Sequence, residues 1–210
     1  MNLQYYYWYF KSAIPPRICD DIVKYGLKHQ DDMAITGGVG RGRDLKKQPL
    51  NKKEIKDLKK KRNSNIVWMN DRWIYNEIQP YIRQANKSAG WNFTWDWSES
   101  CQFTKYKPGQ YYDWHCDSWE VPYKEKGPTQ GKIRKLSVTV SLSDEKDYSG
   151  GELEFQFRNV DNPKVSNVCK HILPKGSLVV FPSFVWHRVK PVKKGVRYSL
   201  VLWNLGYPFR

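Results

Sequence analysis

His115 and Asp117 stand one residue apart, an imidazole and a carboxylate in the pattern His-x-Asp. On an extended strand, alternation points both side chains to one face and Cys116 to the other, so the pair is able to share a metal ion. The dipeptide taken by itself reads as readily as a surface ion pair. A third ligand candidate, His187, lies 72 residues on, in the apolar run 181–189. A histidine in such surroundings is otherwise a satisfied core residue. Ten residues further stands Arg197, at the head of the strand-like stretch 197–203. Alternation there sets Arg197, Ser199, Val201 and Trp203 on one face and Tyr198, Leu200 and Leu202 on the other. An arginine turned into an interior is costly unless an anion neutralises it. Two histidines, one aspartate and an inward arginine suit a metal that also binds a dicarboxylate.

Such residues need a rigid frame, and the chain after Gly90 supplies one. Short alternating or apolar runs, separated by Gly, Pro and Asp, occur at 91–97, 100–107, 111–115, 133–142, 152–157, 168–173, 177–181, 186–192 and 197–203. Eight or nine short strands with turn signals between them predict a β-sandwich or barrel. Ahead of them the pattern is helical. Pro15 and Pro16 open a helix with Ile18, Ile22 and Tyr25 on one face, ending near Gln30. A second helix is expected over 71–86, with Ile74, Ile78, Ile82 and Ala85 on one face and a perturbation at Pro80. Residues 1–10 read as a strand, and 37–42 as a glycine-rich turn without phosphate-loop spacing. Helices first and strands after make the helices a buttress on one sheet. Residues 1–90 are therefore expected to pack on a core formed by 91–210, within one compact domain.

The 210 residues carry 36 Lys+Arg against 21 Asp+Glu, a net charge of +15, with 40% hydrophobic and 15% aromatic content. That apolar content excludes a disordered chain, and no uncharged apolar run reaches the roughly 20 residues of a membrane helix. The first ten residues lack the basic and aliphatic regions of a signal peptide. Cys19, Cys101, Cys116 and Cys169 show no framework spacing, which points to a reduced, cytoplasmic setting. The excess charge is local. Lys46, Lys47, Lys52, Lys53, Lys56, Lys59, Lys60, Lys61 and Arg62 fall within seventeen residues, opposed by Glu54 and Asp57 alone. Ile55 and Leu58 give this stretch a narrow apolar stripe, so a short exposed helix is expected. A basic balance of this kind serves solubility, or anionic partners such as nucleic acid, acidic peptides or small carboxylates.

Three motifs then come in order: Tyr106-x-x-Gly109-x-Tyr111-x-x-x-His115-x-Asp117; Gly150-Gly151-Glu152-Leu153; and Gly176-Ser177-Leu178-Val179-Val180-Phe181-Pro182 running on through His187, Pro191-Val192, Gly195 and Arg197. In this order and spacing, 102–203 resembles the iron(II)/2-oxoglutarate-dependent oxygenases, in their prolyl-hydroxylase-like (PKHD-type) branch. The resemblance implies a mainly β fold, a double-stranded β-helix of jelly-roll or cupin type buttressed by N-terminal α-helices. It implies that His115, Asp117 and His187 bind Fe(II), leaving positions for 2-oxoglutarate and dioxygen. Arg197 would pair with the distal carboxylate of 2-oxoglutarate, with Tyr106 and Ser199 as hydroxyl donors and ascorbate as reductant. The implied activity is hydroxylation of a peptidyl or free amino-acid side chain, proline first, coupled to decarboxylation of 2-oxoglutarate to succinate and CO2.

Two departures mark the pattern. Collagen-type prolyl 4-hydroxylases usually carry Lys where Arg197 stands, and the nucleic-acid demethylase branch usually carries a second Arg at the position of Trp203. A nucleic-acid-directed oxygenase, or a basic nucleic-acid-binding module, is the alternative that the lysine run keeps open. The stretch 118–130 is too polar for a core and too long for a hairpin turn. It is either an ordinary surface loop or a lid over substrate, with Trp114, Trp119 and Tyr123 as stacking surfaces and Trp203 on the Arg197 face beneath.

Overall fold

The computed structural model describes residues 3–29, 32–34, 47–118, 121–157 and 165–209. The glycine-rich turn expected at 37–42, Lys46 and Trp119 lie outside them. First in the chain come β1 (Trp8–Phe10), α1 (Pro16–Leu27), β2 (Asp32–Met33), α2 (Lys52–Lys61), β3 (Arg62–Asn63), β4 (Asn65–Met69) and α3 (Arg72–Ser88). The strands β5 (Trp97–Ser98), β6 (Cys101–Tyr106), β7 (Tyr111–His115), β8 (Ile133–Ser141), β9 (Tyr148–Gly150) and β10 (Leu153–Gln156) follow. After them run β11 (Asn167–Val168), a 3-10 turn at Lys170–Ile172, β12 (Leu178–Pro182), β13 (Trp186–Val189), β14 (Val192–Gly195) and β15 (Arg197–Gly206).

The larger sheet has the order β1-β12-β8-β15-β6-β4-β2, with β5 also on β15. The smaller has the order β11-β10-β13-β7-β3, and β14 pairs with β9. Two facing antiparallel sheets with these crossovers form the double-stranded β-helix. The central strands β8 and β15 are buried on both faces. On the outer face Leu136, Val138, Val140, Leu200 and Leu202 pack against Ile22 of α1 and Ile74, Ile78 and Ile82 of α3. Each such side chain contributes about 1.5–3 kcal/mol by leaving water. The contact is close at Gly26 of α1, where a Cβ would lie 2.7 Å from the Phe103 ring and 2.8 Å from Met69. Between the sheets a second cluster joins Tyr106, Val179 and Phe181 to Leu153, Phe155 and Val189.

Several elements differ from the sequence expectation. The stretch 91–97 is not a strand, except that its last residue opens β5. Its polar backbone is satisfied by a side chain instead: Asn86 accepts from Phe93 N–H (2.9 Å) and donates to Phe93 C=O (2.9 Å). Its apolar pattern serves to bury Trp91 and Phe93 under α3. The stretch 168–173 is mostly the 3-10 turn. Strands β2, β3, β9 and β14 are too short or too polar to show a period, and the apolar β4 is a further strand beyond those expected. Helix α3 runs through Pro80 unbroken, because Pro80 and Asn76, whose carbonyl loses its helical donor, both face solvent. Helix α2 forms as expected, closed by a capping box between Asn51 and Glu54. Among the described residues no helix is long and apolar enough to cross a membrane, and the four cysteines are free.

Candidate metal centre

Strands β7 and β13 lie side by side, and His115 and His187 are direct register partners. The ladder is irregular beyond them: Tyr112 pairs with Val189, so two residues of β7, Asp113 and Trp114, oppose Arg188 alone. This is a β-bulge, and it reverses the alternation of β7. Tyr112 and His115, three apart, would otherwise point to opposite faces. Their rings instead stack at 3.5 Å between centroids. Asp117 is not on the strand, which ends at His115. It sits in the following turn, where the N–H groups of Asp117 and Ser118 both donate to Ser183 C=O at 2.8 and 2.9 Å. The expected same-face arrangement of His115 and Asp117 thus arises from a bulge and an anchored turn, not from strand alternation.

The three side chains converge. The Nε2 atoms of His115 and His187 lie 3.7 and 3.6 Å from the two carboxylate oxygens of Asp117, and one ligand atom from each residue falls within 4.8 Å of the others. His115 Nδ1 contacts Asp113 C=O at 2.7 Å and His187 Nδ1 contacts Val185 C=O at 3.0 Å. A carbonyl only accepts, so both Nδ1 atoms carry the proton and both Nε2 lone pairs remain for a metal. The Ser137 hydroxyl donates to Asp117 Oδ2 at 2.7 Å and itself contacts the Ser183 hydroxyl at 2.9 Å. Burial, then the neighbouring His187, pulls the His115 pKa down to about 3, so its imidazole is neutral near pH 7. Burial alone would raise Asp117, but His187, His115 and Arg134 outweigh it and leave the carboxyl at about 2. A neutral imidazole beside an ionised carboxylate is the protonation state that a divalent cation requires. The donor set of two imidazoles and one carboxylate, on one side of a prospective ion, fits iron(II).

Arg197 lies on β15 of the larger sheet, on the face turned toward the smaller sheet that carries His115 and His187, 2% exposed and paired in register with Tyr106. Its guanidinium donates to Ser199 Oγ at 3.3 Å and sits 5.5 Å from the Tyr106 ring centroid. No carboxylate among the described residues pairs with it. Glu154 is engaged by Arg188 (2.7 Å) and Lys190 (3.5 Å) instead. At Gly151 a Cβ would come within 3.0 Å of Arg197 Cδ, and φ there is +66°, so glycine suits this approach twice over. A buried cation without a counter-ion is a receptor for a carboxylate.

Of the aromatic residues expected to stack on substrate, Trp203 is buried on the inner face and covered by Arg134, whose guanidinium carbon lies 3.8 Å from its ring. Its indole N–H leans toward Asp117 without a hydrogen bond of good geometry. Tyr123 donates to Glu99 at 2.9 Å, and Glu99 holds Arg134 through both carboxylate oxygens. Trp114 lies on the far side of β7, its ring 4.6 Å from the Arg188 guanidinium, away from His187.

Sequence reasoning missed Arg62, Glu99 and Arg134. Arg62 is only 4% exposed and covers Tyr112 at 4.4 Å, yet in the sequence it is the tail of a lysine run. It bonds Ser64 and Gln102, and its Nη2 is buried without a partner. Strict alternation places Arg134 with Leu136 toward the helices. An irregularity in the β8–β15 ladder at Asn204/Leu205 turns it inward.

Comparison with known proteins matches residues 101–204 to the model of the 2OG-Fe(II) oxygenase superfamily. A PKHD-type hydroxylase of Synechococcus sp. (strain CC9902) is 38% identical over 100 residues, 47% of this chain and 38% of the relative. A PKHD-type hydroxylase of Pseudomonas fluorescens is 36% identical over 99 residues, 47% of this chain and 40% of the relative. The matched stretch thus spans about two-fifths of these curated relatives. The fold is similar to that of the viral collagen prolyl hydroxylase of Paramecium Bursaria Chlorella virus-1, at TM-score 0.63 and 21% identity over 97% of both chains. It is also similar to that of a Pseudomonas putida prolyl-4-hydroxylase, at TM-score 0.66 and 18% identity over 96% of this chain and 93% of that one.

Proposed function

Since the chain belongs, through residues 101–204, to the 2OG-Fe(II) oxygenase superfamily in its PKHD-type branch, we propose that it hydroxylates an amino-acid side chain of a peptide, with proline favoured. His115, Asp117 and His187 would hold the iron. Bound there with 2-oxoglutarate and dioxygen, iron would supply the oxidative chemistry, decarboxylation of 2-oxoglutarate to succinate and CO2 coupled to hydroxylation of a C–H bond. The protein's part is to bind, orient and keep water out. Arg197 binds the distal carboxylate of 2-oxoglutarate, with Ser199 and Tyr106 beside it. Ser137 and the Ser183 carbonyl fix Asp117, and the two backbone carbonyls fix the imidazoles. Arg62, whose buried Nη2 is unbonded over the Tyr112 ring that stacks on His115, would donate to a backbone carbonyl of a peptide that reaches it. Trp203 under Arg134 forms an aromatic wall, and Tyr123 ties the segment above it to Glu99. A reduced, cytoplasmic setting accompanies this reading, with ascorbate keeping the iron ferrous.

The buried, uncompensated Arg197 on the sheet that faces the three convergent metal donors carries the proposal. Purified protein with iron(II), ascorbate and 2-oxoglutarate should release succinate in proportion to a 16 Da gain on a proline-containing peptide. Absence of both 2-oxoglutarate binding and succinate release would overturn the reading.

A further inference from the structure

Helix α2 carries six lysines against Glu54 and Asp57 in ten residues. At about 100° per residue, Lys52, Lys53, Lys56, Lys59 and Lys60 share an arc of about 120°, and Leu58 lies on the opposite side. All five are exposed, while Leu58 is 1% exposed and anchors the helix. Of the two acids, Glu54 closes the capping box and Asp57 bonds one stripe lysine, Lys60, at 2.8 Å. Lys52, Lys53, Lys56 and Lys59 form no ion pair with any described residue. Lys59 and Lys60, in the last turn, suit the helix dipole, but the rest of the stripe does not serve the helix. Lysines at i, i+3 and i, i+4 repel one another, and Lys52 and Lys53 sit at the positive end of the helix dipole.

The stripe is joined to the cleft. The Tyr111 hydroxyl donates to the carbonyls of Lys59 (2.9 Å) and Lys60 (3.1 Å), and the chain passes from Lys61 straight to buried Arg62 over Tyr112. Tyr111 is four residues before His115 on β7, about 13 Å at ~3.3 Å per residue. An extended peptide rising ~3.1 Å per residue covers that distance, plus the reach of a lysine, in about four to seven residues.

We propose that the lysine face of α2 is a docking surface for a run of acidic residues in the peptide substrate, about four to seven residues from the side chain that is hydroxylated. The inference rests on the hydroxylase reading above and adds a substrate class to it. A polypeptide fits better than a nucleic acid because α2 contains no arginine and no aromatic residue, the planar groups that grip phosphates and stack on bases. Carboxylates need only the point charges that lysines supply.

The test measures binding of a fluorescein-labelled octaglutamate peptide by anisotropy, beside an eight-nucleotide single strand, at low and at physiological salt. Replacing Lys52, Lys53, Lys56, Lys59 and Lys60 with Gln should weaken octaglutamate binding at least tenfold and leave 2-oxoglutarate affinity within twofold. Lys193→Gln with Lys194→Gln, on exposed β14, should change neither. In turnover, a proline peptide bearing a glutamate run five residues away should show a lower KM than its glutamine counterpart, and the five-lysine variant should lose that preference. Equal octaglutamate binding by wild type and variant, or tighter stripe-dependent binding of the oligonucleotide, overturns the proposal. If octaglutamate binds through the stripe but no peptide is hydroxylated, the hydroxylase reading fails and the docking surface stands apart from it. Should the five-fold variant not fold, Lys56→Glu replaces it, and a weakening of less than threefold counts against the stripe.

Discussion

Ser199 and Leu200 are neighbours on β15, both buried, and they face different worlds. Leu200 joins Leu202, Val138 and Val140 against α1 and α3, a face on which apolar volume is what counts. Ser199 joins Arg197, Ser137, Ser141 and Thr104 toward the smaller sheet, a face as buried as the first but carrying hydroxyls and a guanidinium beside its apolar cluster. A sheet filled on both sides by hydrocarbon would be the more stable object, since polar groups cost free energy when they leave water. The inner face retains that cost over the stretch where ligands must be held. Stability and chemistry are thus separated across one sheet thickness.

The separation makes ordered expectations. Asp117→Ala should abolish iron binding, a loss beyond the roughly 10–100-fold that follows removal of an outer partner of a metal ligand; anaerobic iron titration with metal analysis checks it. Arg197→Ala should weaken 2-oxoglutarate binding by about 2–5 kcal/mol, or about 30- to several-thousand-fold, with iron affinity nearly unchanged. Calorimetric titration of 2-oxoglutarate reads this, and Arg197→Lys should be milder because it keeps the charge without the planar fork. On the outer face, Leu200→Ala should cost about 2–5 kcal/mol in urea unfolding while the folded fraction binds iron and 2-oxoglutarate normally. A ligand-binding loss from that change, at unaltered stability, would erase the distinction between the faces. Ser137→Ala should lower iron affinity about 10–100-fold with its melting temperature close to wild type. Cys116→Ser, whose thiol contacts Ser118 C=O at 3.5 Å rather than a metal donor, should shift iron affinity by less than about twofold.

How much of this was legible depended on how locally each residue is specified. His115, Asp117, His187 and Arg197 could be singled out because two lie in one tripeptide and the others in strands with strong periodicity. The reason they converge could not be read from alternation, since a bulge in β7 and the turn held by Ser183 do the placing. Arg62 and Arg134 were hidden for related causes: one ends a charged helix, and the other is turned inward by a ladder irregularity. The outer core was legible in α1, α3 and the long strands, where the apolar period is sustained. At 91–97 the same apolar texture misled, because a side chain, Asn86, replaces the neighbouring strand that would have satisfied the backbone.

The extra residue in β7 makes the centre depend on a register partner rather than on simple alternation along the strand. Many substitutions at Asp113 leave the count intact, and His115 still meets Asp113 through a backbone carbonyl that any residue provides. Deleting one residue between Tyr112 and His115 should restore an unbroken ladder with β13 and still leave the imidazole opposite His187, on the same face. The candidate site is thus set by which residue stands opposite His187, and a change of length that keeps His115 at that register position keeps its imidazole on the face of His187.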